Sequence, residues 1–160
     1  MYKTSAVLTI AIMLFAGILI RSHAQSPAYT EKKNKLISEK SPFEKIISRE
    51  DPRELEFEDD YVAVFKGLRE QSRVHWLIVP KKRINTLNDA TEQDTWLLGH
   101  LLIVAQKMAR KYDIAETGYR VVINTNEDAG QSVFHIHVHL LGGEYLGPMV
   151  ATKPTQPAKE

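Results

Sequence analysis

His135-Ile136-His137-Val138-His139-Leu140-Leu141 alternates three imidazoles with aliphatic side chains. In a β-strand successive side chains point to opposite faces. Read as a strand, this stretch lines one face with His135, His137 and His139, spaced about 6.7 Å apart. Ile136, Val138 and Leu140 line the other face and suit a core. The chain holds only six histidines in 160 residues, so three on one strand face are not a chance of composition. Imidazole titrates near neutrality and can serve as nucleophile, acid, base or metal ligand. Just upstream, Gly130-Gln131-Ser132 supplies a pliable backbone, an amide and a hydroxyl where a loop enters the strand.

Outward from this motif, the other segments read as hairpins around one long helix. Gly118 to Asn124 is an extended segment, and Asn126 to Gly130 forms the turn before the histidines. Asp94 to Tyr112 carries Leu97, Leu98, Leu101, Leu102, Val104, Ala105 and Met108, a broad apolar face at helical spacing. Val74 to Val79 is strongly β and ends at Pro80. Tyr61 to Lys66 is its partner strand, and Gly67 to Arg73 is a polar loop between them. Leu55 and Phe57 alternate with glutamates as a half-buried strand, and Asp59-Asp60 suit a turn. Ser41-Pro42-Phe43-Glu44 opens a short helix with a capping box, and Pro52 ends the helical region. This order predicts an α+β domain: an antiparallel sheet of about five strands, one short N-terminal helix and one long central helix.

Composition narrows the function. The chain has 43% hydrophobic and 26% charged residues, as an ordinary single globular domain does. Without the first 24 residues, 19 basic and 20 acidic side chains remain, which gives no basic surface for nucleic acid. Cysteine is absent, so disulfides and thiolate metal sites are excluded. Lys3, the apolar run Ala6 to Ile20, and Ser22-His23-Ala24 have the form of a secretory signal. Residues 1–24 are therefore expected to be a cleaved signal, with an exported protein, or else a membrane anchor through residues 6–20. Residues 25–40 are polar and lysine-rich and are expected to form a linker. Residues 41–147 are the expected domain, and residues 148–160, with Pro154 and Pro157, a frayed tail.

These residues together resemble the histidine triad (HIT) family, which carries His-φ-His-φ-His-φ-φ with φ apolar. The resemblance is to its Hint branch and spans about residues 41–147. It is carried by the triad and by Ser41 to Ile47, Glu58-Asp59-Asp60, His75 to Lys82, Leu97 to Leu101, Gly118 to Val122 and Gly130 to Val133, in that order. It implies the family fold, a homodimer, and a cofactor-free hydrolase of purine nucleoside phosphoramidates. It assigns His137 as the nucleophile that forms a nucleotidyl-histidine intermediate. His139 would donate to phosphate oxygens as charge builds. His135 belongs to the triad in a supporting or substrate-contacting role, and His75 matches a fourth family histidine near it. Asn124, Leu68, Gly130, Gln131 and Ser132 are the expected nucleotide- and phosphate-binding residues.

Two departures qualify the resemblance. Where the Hint pattern has an acidic residue for the ribose hydroxyls, this chain has Gly67. Gly67→Asp is therefore expected to tighten ribonucleotide binding. Beyond Gly142-Gly143 there is no tryptophan, only Glu144-Tyr145-Leu146-Gly147-Pro148. Two rival readings stay open: a nucleotide-binding module without turnover, and a zinc site built from His137, His139 and His75 or His135. No metal is expected, because no carboxylate lies within the triad. His100 and the basic run Lys81-Lys82-Arg83 read as structural and solvated, respectively.

Overall fold

The computed structural model describes residues 24–67 and 69–149. Five antiparallel strands form one sheet in the order β1-β2-β3-β5-β4. They are β1 (Phe57–Glu58), β2 (Val62–Lys66), β3 (Val74–Pro80), β4 (Tyr119–Val122) and β5 (Val138–Gly142). Helix α3 (Thr95–Lys111) covers one face, and the short helix α2 (Pro42–Ile47) covers the other.

The period-two alternation of each strand decides which side chains meet. Val62, Val64, Trp76, Ile78, Val138 and Leu140 pack with Leu101, Val104, Ala105 and Met108 of α3. The alternate residues Phe65, Leu77 and Val79 pack with Phe43 and Ile46 of α2. Both faces of β2 and β3 are thus buried, which is why Val62 to Phe65 and Trp76 to Val79 read as continuous apolar runs. Each fully buried side chain of this size contributes roughly 1.5–3 kcal/mol relative to exposure. The same alternation sends His75 and His139 to the α2 side. The register pairs Leu77 with His139 and His75 with Leu141, so the two histidines lie on adjacent strands.

Helix α2 begins as expected. Ser41 Oγ accepts from the Glu44 N–H, and the Glu44 carboxylate accepts from the Ser41 N–H. Two expectations differ from the fold. The histidine stretch is not one strand. Only Val138 to Leu141 belongs to β5, while His135, Ile136 and His137 lie in a lead-in that begins with a bend and whose donors turn to other partners. Alternation survives there without ladder pairing, so the motif still presents its histidines.

The segment 25–40 is not a plain linker either: it contains helix α1 (Pro27–Ser38). None of its residues is buried, so an apolar period was not there to be read. It forms because Ser26 caps it, Pro27 opens it, and its polar side chains grip the domain. Ser26 donates from its N–H and hydroxyl to Glu127, and Lys33 donates to the Asn126 side chain. Tyr29 donates to the Gln131 carbonyl and packs edge-on against Phe134. The expected signal or anchor, through residue 23, and the tail from residue 150 lie outside the described residues.

Candidate active site

A cavity of about 370 Å³ opens on the α2 side of the sheet, lined by His75, His137, His139, Arg69, Gln71, Phe43, Leu77, Val133 and Ser132. His137 is nearly buried and lies with its ring edge-to-face against Phe43, the centroids 4.9 Å apart. Its Nδ1–H donates to the His135 carbonyl at 2.8 Å. That bond fixes the tautomer and leaves Nε2 as a bare lone pair. Burial is the largest influence on His137 and lowers its pKa, so the ring is neutral and nucleophilic at pH 7.

His75 and His139 form a chain. His75 Nδ1–H donates to the Arg69 carbonyl at 2.8 Å, so His75 Nε2 accepts. His139 Nδ1–H supplies that bond at 2.9 Å. His139 Nε2 is then a second bare lone pair, and it is buried without a partner in the protein. Burial, followed by the neighbouring His137 and His75, pushes the His139 pKa down to about 4. The His137 and His139 rings lie 4.9 Å apart. Two unprotonated nitrogens therefore share one small cavity, whose lining has no carboxylate among the described residues.

His135 has a different part. It is fully buried and does not line the cavity. Its Nε2–H donates to the Pro80 carbonyl at 2.7 Å, and its Nδ1 accepts from the Ser41 hydroxyl at 3.0 Å. Burial holds its pKa down at about 4. With both nitrogens committed, His135 cannot touch a substrate; it anchors the backbone whose carbonyl holds His137. The same commitments leave it no lone pair for a metal. Among the described residues, no three histidine or acidic side chains converge on a metal position.

The expected phosphate loop is brought to the site only in part. Ser132 is exposed and lines the cavity. Gln131 does not: its side-chain amide donates to the Asn85 and Val133 carbonyls, its Oε1 accepts from the Asn126 N–H, and its own N–H bonds the Asn126 carbonyl. Gln131 is a buried brace of the loop rather than a ligand contact. Gly130 is likewise not brought to the cavity. It holds φ +72 and its N–H closes the turn onto Glu127, so it shapes the loop without reaching the cavity. Asn124 follows β4, half-buried, and does not line the cavity. Leu68 lies outside the described residues.

The Gly67→Asp expectation meets a steric obstacle. A Cβ built there would lie 2.4 Å from His75 Nδ1, so a side chain at 67 would displace the histidine ring. His100 is structural, as read: Nε2 bonds Asp59 at 2.7 Å, and its ring stacks on Trp96.

The sequence reading missed three groups. Arg69 and Gln71 form an exposed rim of the cavity. Their signal was available: the polar loop ends two residues before His75. Arg83, expected to be solvated, donates to the Leu36, Glu39 and Phe134 carbonyls and to Glu44 and Asn85. It ties α1, α2 and the lead-in to the triad together. Phe43, at the second position of α2, reaches across to shield His137.

This arrangement, an antiparallel sheet presenting an alternating histidine motif beneath a short helix, is that of a HIT domain. The HIT domain family model matches residues 48–146, and the chain belongs to this family. It is 45% identical over 117 residues to the purine nucleoside phosphoramidase of Escherichia coli (strain K12), covering 73% of this chain and 98% of that one. It is 44% identical over 110 residues to an uncharacterized HIT-like protein of Synechococcus elongatus, covering 69% and 96%. A HIT family hydrolase from Legionella pneumophila superposes with a TM-score of 0.65 at 44% identity, covering 66% of this chain and 95% of that one. A HIT family hydrolase from Clostridium thermocellum gives 0.67 at 40% identity, covering 70% and 97%.

The matches correct the expectation of export or membrane anchoring. The Escherichia coli relative is matched over 98% of its length by the 117 residues, so it is essentially the domain alone. Among the described residues no helix is long and apolar enough to cross a membrane. Neither export nor anchoring through residues 6–20 is retained.

Proposed function

We propose that this protein is a purine nucleoside phosphoramidate hydrolase working through a nucleotidyl-histidine on His137. The observation that carries the reading is the bare Nε2 of His137, fixed by its Nδ1–H bond to the His135 carbonyl and aimed into the cavity. The 45% identity to a protein named purine nucleoside phosphoramidase supports the substrate class.

The chemistry runs in two displacements. His137 Nε2 attacks phosphorus opposite the amine. A new N–P bond forms as the P–N bond to the amine breaks, and the amine leaves with the electron pair. It takes a proton from His139 Nε2. In the free protein that nitrogen is bare, with a pKa near 4; it takes up a proton from solvent as the anionic phosphate enters and favours the charged ring. His139, bare again, then accepts a proton from water as the water attacks the nucleotidyl-His137. The nucleoside 5′-monophosphate departs, and His137 is restored. His75 holds His139 in the tautomer that makes this exchange possible. The Ser132 hydroxyl, free at the rim, donates to a non-bridging oxygen.

The domain works as a homodimer in this reading. Leu102 and Ile103 stand half exposed on α3, Gly99 has open space beside it, and β4 is an edge strand. A second copy would cover this surface, and sedimentation should return twice the chain mass. The reading as a whole is tested by assaying an adenosine 5′-phosphoramidate with and without chelator. Turnover unaffected by chelator, with a trapped adduct on His137, is the expected result. Absence of turnover across a panel of phosphoramidates would refute it.

A further inference from the structure

We infer that Arg69 selects substrates carrying a second anionic group besides the reacting phosphate, an inference that rests on the proposed phosphoramidate chemistry. It comes from counting donors and acceptors around the cavity. His75, His137 and His139 are neutral, their pKa values lowered chiefly by burial. Leu77, Val133 and Phe43 are apolar, and Gln71 and Ser132 are uncharged. Arg69 is the one formal charge in the lining among the described residues. Its guanidinium has no ion-pair or hydrogen-bond partner among the described contacts. Arg83, by contrast, is committed to five acceptors.

The backbone holds Arg69 at that position. Its carbonyl accepts from His75 Nδ1–H, which seats the residue at the His75 end of the cavity. The neighbouring Glu70 lines the depression on the far side of His75, with Lys66, Ser72 and Arg73, where its charge reaches His75, and it forms no ion pair with Arg69 among the described residues. No carboxylate can be supplied from position 67, where a Cβ would strike the His75 ring. At this end the described cavity lining therefore includes the exposed Arg69, whose guanidinium carries a planar fork of five N–H donors, and includes no carboxylate. Such a fork matches phosphate or carboxylate oxygens in bidentate fashion and has little to offer a sugar hydroxyl seeking an acceptor. Two substrate classes carry the required anion: a nucleoside with a 2′- or 3′-phosphate, and a leaving amine with a carboxylate.

The test uses the full chain and two matched pairs of adenosine 5′-phosphoramidates. One pair differs by a 2′- or 3′-phosphate. The other differs by a carboxylate against its amide on the leaving amine. In at least one pair the anionic member should show a kcat/KM about ten-fold higher, carried by KM; this is the lower end for a charge-assisted hydrogen bond at an exposed rim. The pair that shows it identifies which class is recognised. The advantage should shrink with added salt. In Arg69→Gln that ratio should fall toward one, however far both rates drop, and Arg69→Lys should keep part of it. Ratios under two in both pairs, or a preference that survives Arg69→Gln, would overturn the inference. The same pairs made as hydrolysis-resistant phosphonates and titrated by calorimetry give the ratio without turnover. Failure of the hydrolase reading is thereby separated from failure of the Arg69 assignment.

Discussion

The two walls of the histidine cavity differ in how much of their polar chemistry is already used. On the wall formed by α2 and the lead-in to β5, every nitrogen of His135, both roles of the Ser41 hydroxyl and the Gln131 amide are bonded within the protein. On the opposite wall, Arg69 and Gln71 stand exposed at the rim of a loop whose polar side chains are largely unbonded. A catalytic nitrogen must sit within a fraction of an ångström of its productive position, so rigid support belongs on the first wall. A recognition surface has to meet a substrate that varies, and an open rim suits it. The difference teaches that mutations on the first wall should act on kcat, and mutations on the second on KM.

The largest expected effect is at the nucleophile. His137→Ala should lower turnover by about 10⁴ or more, because the other bare nitrogen, His139 Nε2, is buried and is used for proton transfer. Adduct trapping followed by peptide mapping checks the assignment, and near-normal turnover in His137→Ala would break the comparison at its root. His139→Ala should cost less, about 10²–10³, because a proton donor and charge stabiliser is lost while attack remains possible. A leaving amine of unusually low basicity should recover much of that loss, which single-turnover kinetics would register.

Next come the supports of the first wall. Ser41→Ala removes both the helix cap and the donor to His135, at a cost of about 1–2 kcal/mol in chemical denaturation. His135 keeps its tautomer through the Nε2–H bond to the Pro80 carbonyl, but its buried Nδ1 is left without a donor, and the carbonyl that holds His137 should wander. The expected signature is a lowered kcat with KM little changed, restored in part by Ser41→Thr. An equal rise in KM would blur the division between the walls. Acid unfolding probes the same wall. The His135 pKa is about 4 when folded, against 6.5 for the free side chain. As pH falls below 6.5 the unfolded chain takes up this proton and the folded one does not. The stability is therefore complete above that value and is lost down to pH 4, about 3 kcal/mol in all for this residue. His135→Gln should flatten that portion of the denaturation-versus-pH curve.

How much of this was legible in the sequence follows the same physical divide. Period-two alternation and helical spacing are local, so the strands around Val64 and Ile78, helix α3 and the Ser41 capping box could be read directly. The triad was legible for its spacing, although His135 and His137 turned out to precede β5 rather than belong to it. What could not be read was the destination of each nitrogen. That His135 faces Ser41 and Pro80, and that Gln131 faces Asn85, depends on contacts across tens of residues that no local pattern encodes. Gly67 shows the same limit: the letter says that a carboxylate is missing, and only the packing says that His75 occupies the space.

The smallest expected effect lies on α1, which touches the first wall from outside. This helix buries no residue and is held by polar contacts, chiefly Ser26 to Glu127, Tyr29 to the Gln131 carbonyl, and Lys33 to Asn126. Contacts of this kind at a surface are worth little each, because water competes for every partner. Ser26→Ala removes the cap and one bond to Glu127, so α1 should lose about 1 kcal/mol of local stability. Hydrogen exchange should show faster opening across residues 27–38 while the amides of β3 and β5 stay protected, since partial opening need not involve the core. The Gln131 side chain and N–H bond Asn85, Val133 and Asn126 independently of α1, so Ser132 should remain in place and turnover should fall by less than about two-fold. A larger fall would mean that the wall's rigidity reaches out to α1, with Tyr29 and Glu127 as part of the frame that fixes the catalytic loop.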